Sequence, residues 1–113
     1  MKKEKNDKEV CFYNRWIQPC YKKEYYTSIK VEREGKLINP RNYKEGDILY
    51  ILKYHRKGKF FKILQYEIIT KDGEYDIKGI REYRVWYINE IYSYGFSQEL
   101  QNAILNLYKN IKC

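Results

Sequence analysis

The stretch KYHRKGKFFK, Lys53 to Lys62, sets five cations (Lys53, Arg56, Lys57, Lys59 and Lys62) among the rings of Tyr54, His55, Phe60 and Phe61. Basic side chains neutralise phosphates and release their condensed counterions, while rings offer π faces on which unpaired bases stack at roughly 1–3 kcal/mol each. The chemistry on offer is capture of a nucleic-acid strand, with Tyr54 the ring expected to stack. A bland role competes with it. Lysine-rich hairpin tips are ordinary solvated turns, edge lysines keep sheets from pairing edge to edge, and Phe60 or Phe61 suits a core at least as well as a platform. Arg15, Lys22, Lys23 and Arg41 join the candidates on the expectation that the lead-in strand and loop carrying them share a side with the tip.

The charge is uneven along the chain. Met1 to Lys59 holds 16 Lys and Arg against 8 Asp and Glu, and Phe60 to Cys113 holds 7 against 7, so the formal net charge of +8 comes from the first half. A basic face attracts polyanions whatever their sequence. The functional expectation therefore hangs on those cations gathering on one surface.

Catalytic constellations are absent from the pattern. His55 is the only histidine, there is no glycine-rich phosphate loop, and Ser28, Ser93 and Ser97 have neither a base nor a glycine elbow beside them. Glu74 and Asp76 share one face of a presumed strand and have the oxygens a divalent ion takes, yet a solvated strand accounts for them as well. Cys11, Cys20 and Cys113 show no two-residue spacing and are odd in number, which argues against a disulfide framework. Together with His55 they would make a Cys3His zinc set only by converging in space. The expectation is a non-enzyme without cofactor or metal.

These residues need elements to hold them. DILYILKYH and KFFKILQYEIIT are long β-favouring runs around the tip Arg56, Lys57, Gly58, the pattern of a hairpin. Lys71-Asp72-Gly73-Glu74 carries the Asp-Gly pair that suits positive φ at both central turn residues, so a further strand is expected through Tyr75 and Ile77. Upstream, Glu24 to Glu34 alternates with Tyr25, Ile29 and Val31 on its apolar side, and Gly35 permits a turn. INPRNYKEGD then reads as a connecting loop before a strand opening at Asp47. Val10 to Tyr21 suits an edge strand that Pro19 interrupts, anchored by Phe12 and Trp16. Residues 1 to 9 form a charged tail with nothing to dock. Tyr83 to Gly95 satisfies both periodicities, and the run Val85, Trp86, Tyr87, Ile88 favours a strand covered on both faces. From Ser97 as N-cap, Leu100, Ala103, Ile104, Leu107, Tyr108 and Ile111 recur at helical spacing, predicting a helix over 97–111.

At 113 residues there is room for one domain, 10–113 behind the tail, of the α+β class and mainly β. Strands apolar on both faces point to a small, strongly bent sheet or an SH3-like or PUA-like barrel of about five or six strands with one C-terminal amphipathic helix. No apolar run reaches the roughly 18–20 residues of a membrane span. The charged N-terminus lacks the apolar segment of a signal peptide, which sets the expectation of a cytoplasmic protein.

The leading functional expectation is a nucleic-acid-binding domain, RNA or DNA, with mostly phosphate-backbone contacts and weak sequence preference. A second class of function rests on the 14 tyrosines and 2 tryptophans, because Tyr and Trp give stiff, large contact area at protein interfaces. Tyr83, Tyr87, Tyr92 and Tyr94 cannot all be core. Lys, Ile, Asn and Tyr abound beside a single alanine, as AT-rich coding produces, so the alternative is a phage- or plasmid-encoded interaction module. An anti-CRISPR-like inhibitor of a bacterial defence nuclease is one example. Oligomeric state stays open, since Val10 to Ile17 suits pairing across a two-fold axis.

Overall fold

The computed structural model describes residues 25–112, which form an open, five-stranded antiparallel sheet followed by one C-terminal helix. The strands are β1 (Tyr25–Arg33), β2 (Lys36–Ile38), β3 (Ile48–His55), β4 (Phe60–Lys71) and β5 (Glu74–Val85), and the helix is α1 (Gln98–Lys112). Their order across the sheet is β2-β1-β3-β4-β5. Short 3-10 turns occupy Pro40–Asn42 and Ile88–Ser93.

The expected barrel is corrected by this order. β2 and β5 lie at opposite margins, and a margin strand of three residues has too few backbone groups to close a cylinder. Apolar residues on both strand faces have a different cause. On one face Tyr50, Leu52, Tyr54, Phe61, Ile63 and Val85 pack with Ile91, Phe96, Leu100 and Ile104 from the chain that follows β5. On the other, Ile29, Val31, Leu49, Ile51 and Ile68 form a second cluster, joined by Ile38, Tyr43 and Tyr66. The sheet is apolar twice over without curling shut.

Local chemistry explains the joints. Glu34 (φ 53°) with Gly35 (φ 80°), and Asp72 (φ 54°) with Gly73 (φ 79°), put two successive residues in the left-handed region, the backbone of tight hairpin turns. At the start of α1, the Ser97 hydroxyl accepts from the Leu100 amide at 3.2 Å and donates to the Glu32 carboxylate on β1. Glu99 accepts from the Leu37 amide of β2 at 2.7 Å, so β1 and β2 are both tied to the helix N-terminus. The far end of the sheet is held by Asp47, which is 3% exposed and accepts from Arg33 Nε at 2.8 Å, Arg33 Nη2 at 2.7 Å and the Lys44 amide at 2.8 Å.

Two strand expectations also change. The sequence pattern predicts a turn at Gly35 and a loop from Ile38 with no strand between them, whereas Lys36–Ile38 form β2, recruited by register with Val31–Arg33 rather than by their own pattern. β5 is one strand of 12 residues ending at Val85, and the run from Trp86 to Ile88 leaves the sheet instead of continuing it. Within β5, Gln65 of β4 faces Arg81 while Tyr66 faces Gly79, so Ile80 is an extra, bulged residue.

Candidate functional site

The register of β3, β4 and β5 brings the candidate cations together. Lys53 faces Lys62, and Lys62 faces Arg84, so three cationic residues stand directly opposite one another across three neighbouring strands. They lie on the face opposite α1, at the end of the sheet carrying the β3–β4 tip. With strands about 4.8 Å apart the row spans roughly 10 Å. Thr27 of β1 faces Lys53 and continues the row, its hydroxyl oxygen buried and without a hydrogen-bond partner among the described residues.

Two residues nearer the tip, on the same face, runs a parallel row of rings. His55 and Phe60 are stacked, with centroids 4.5 Å apart and planes 6° from parallel, and Phe60 meets Trp86 at 4.6 Å and 36°. The Arg84 guanidinium lies over the Phe60 ring, 5.2 Å from its centroid. Trp86 ends the row and is 52% exposed. Glu90 accepts from the Trp86 amide at 3.0 Å, holding this residue as the chain turns out of β5.

Like charges directly opposite on neighbouring strands oppose folding. The Glu82 carboxylate relieves part of that repulsion at 3.5 Å from Lys62 Nζ. The remaining field is felt by His55, whose pKa lies below its ordinary value through burial first, then through Lys53, Lys62 and Arg84. An electropositive strip beside stacked rings can hold anionic groups along the strip and a flat ring at its exposed end.

Arg56, Lys57 and Lys59 occupy the exposed tip itself, and Arg56 lies 5.2 Å from the centroid of the Tyr26 ring. Tyr54, the ring expected to stack, is placed differently. It is 8% exposed in the helix-side core, packed on Phe61 at 4.9 Å, where no base reaches it. Strand alternation sends Tyr54 and His55 to opposite faces. Arg41 sits in the 3-10 turn before β3, at the other end of a strand whose eight residues extend roughly 25 Å. Arg15, Lys22, Lys23, Cys11, Cys20 and Cys113 lie outside the described residues, so of the possible Cys3His set only His55 is placed.

Among the described residues, the first-half cations are divided between the two ends of the sheet. Arg33, Lys36, Arg41 and Lys44 stand at the far end among Glu34, Glu45 and Asp47, while the tip end gathers Lys53, Arg56, Lys57 and Lys59 and adds Lys62 and Arg84 from the second half. Sequence reasoning missed Arg84 and Trp86. Strict alternation along β5 would put Arg84 on the face opposite Ile77, and the bulge at Ile80 reverses that parity.

Among the described residues, no cluster of three or more His, Cys, Asp or Glu side chains is placed to hold a metal ion, and no helix is long and apolar enough to cross a membrane. Comparisons of the chain with protein-family models, curated proteins and solved structures find no match.

Proposed function

We propose that this protein is a non-enzymatic nucleic-acid-binding domain that grips the phosphate backbone with weak sequence preference. The observation carrying this reading is the Lys53-Lys62-Arg84 row, three cations set side by side by strand register where their mutual repulsion works against folding. Phosphates spaced along a strand relieve that repulsion. Arg56, Lys57 and Lys59 at the tip extend the same surface.

A salt titration tests it. Six phosphate contacts give a log-log slope of affinity against salt of roughly −4 to −5, from about 0.7 per contact for single strands to 0.9 for duplex. Replacing Lys53, Lys62 and Arg84 by Gln is expected to flatten the slope by roughly 2 to 3. A slope that the triple variant leaves unchanged counts against this site.

A second reading has its own observation. Tyr87, which follows Trp86, is 72% exposed, and Tyr92 in the 3-10 turn after it is 57% exposed, as surface anchors of a protein-interaction module would be. A stoichiometric host protein captured by the wild type and lost with Tyr87→Ser and Tyr92→Ser would favour that reading.

A further inference from the structure

We infer that the ligand of this site is a single strand, RNA or DNA, rather than a duplex, with an unpaired base stacked on Trp86 and the neighbouring phosphates on Arg84, Lys62 and Lys53. The inference rests on the nucleic-acid reading above and narrows it. Its first support is the ring row. His55 and Phe60 are stacked with centroids 4.5 Å apart, Trp86 adjoins Phe60 at 4.6 Å with its plane tilted by 36°, and this last ring of the row is half exposed. The half-exposed indole that ends the row offers a face on which another flat ring can lie. In a duplex the base faces are already covered by their neighbours, so only an unpaired base can supply that ring without unstacking.

The second support is the geometry of the charges. The cation row lies on the same sheet face as the rings, two residues from them along each strand, so one extended strand can place phosphates on the cations while its base reaches the indole. Duplex recognition by a helix would need cations on an exposed helix face. On α1 the exposed positions with described side chains are Gln98, Glu99, Asn102, Asn106, Lys109 and Asn110, a set with one cation and one carboxylate, and the helix packs on the opposite side of the sheet. Among the described residues, the cationic groups and the rings coincide only at the tip end of the face opposite α1.

The experiment uses the full chain and three probes of matched length: an oligothymidylate of about a dozen nucleotides, its RNA counterpart, and a mixed-sequence duplex. Binding is read by anisotropy of the labelled probe and by the Trp86 indole N–H signal, identified as the one lost in Trp86→Phe. The inference expects at least one single strand to bind roughly tenfold or more tighter than the duplex and to shift the Trp86 signal. It also expects Trp86→Leu, an exposed substitution that keeps an apolar side chain, to lose roughly 5- to 100-fold in single-strand affinity with duplex affinity little changed. Backbone spectra of the variant establish that the fold is intact. Duplex binding as tight as single-strand binding, or single-strand binding indifferent to Trp86, overturns the inference and leaves the polyanion reading standing. No binding to any probe at low salt overturns both.

Discussion

His55 is the chain's only histidine, and its surroundings make it a reporter for the whole site. Burial against Phe60, followed by the charges of Lys53, Lys62 and Arg84, holds its pKa below the ordinary value of 6.5. A bound phosphate reverses the sign of that field, because it neutralises the cations and favours the imidazolium. The imidazole signals of the free protein are thus expected to titrate below pH 6.5, and to titrate at higher pH once an oligonucleotide is bound. By linkage the affinity must then rise as pH falls through the pKa of the complex. Identical titration curves with and without oligonucleotide would place the anion elsewhere. Tyr50 shows the contrast with a purely structural group: burial first, then Glu32, push its pKa up to about 12, and its hydroxyl accepts from Gln65 Nε2 at 2.9 Å inside the helix-side core.

At the scale of elements, the β3–β4 hairpin supplies most of the site, and its tip is not built for stability. Lys59 adopts φ 58°, a region L-residues avoid at roughly 1–2 kcal/mol, with its amide donating to the His55 carbonyl at 2.7 Å. Gly58 beside it has no room for a side chain, since an added Cβ would come within 2.6 Å of the Phe60 ring. A lysine where glycine is cheaper is the pattern of a residue kept for its charge. Lys59→Gly is expected to raise stability by about 0.5–1 kcal/mol in urea unfolding and to weaken nucleic-acid binding, flattening the salt slope by roughly 0.7–0.9. A gain in stability with unchanged binding would assign Lys59 to the turn alone.

The same elements show what the sequence could and could not disclose. The hairpin, the Asp72-Gly73 turn and the Ser97-capped helix were legible because each is specified by local chemistry: alternation, a positive-φ pair, a hydroxyl at the first turn. The helix came within one residue at each end. The open sheet was not legible, because two-faced apolar strands fit closure and double covering alike. Nor was the full ring row, since His55 and Phe60 flank one tip while Trp86 lies 26 residues further along and joins them only through the register of β4 and β5. Arg84 depended further on a one-residue bulge that no periodicity announces.

For the molecule as a whole, the two ends of the sheet are specialised differently, and acid separates them. At the tip end His55 sits among cations with its pKa depressed. At the far end the Asp47 carboxyl is held below its ordinary 3.8 by Arg33 first and then by the Lys44 amide, against the opposing effect of its own burial. In both cases the unfolded chain takes up a proton before the folded one, so stability falls as pH falls. The windows differ. The His55 contribution is complete above pH 6.5 and declines below it, whereas the Asp47 contribution is complete above about pH 4 and is lost as pH drops further. Global unfolding by urea at a series of pH values is therefore expected to show two declines, one starting near pH 6.5 and one near pH 4. Asp47→Asn is expected to lower stability at pH 7 by about 2–3 kcal/mol, because it removes the charge-assisted fork to Arg33, and to abolish the lower decline while leaving the upper one. His55→Gln is expected to do the reverse, removing the upper decline and sparing the lower. Asp47 also anchors the start of β3 through the Ile68 amide, which donates to its carbonyl at 2.9 Å, and asparagine keeps that backbone bond. The loss in Asp47→Asn thus measures the carboxylate alone, and a variant as stable as the wild type at pH 7 would show that the far end is held by its backbone rather than by its ion pair.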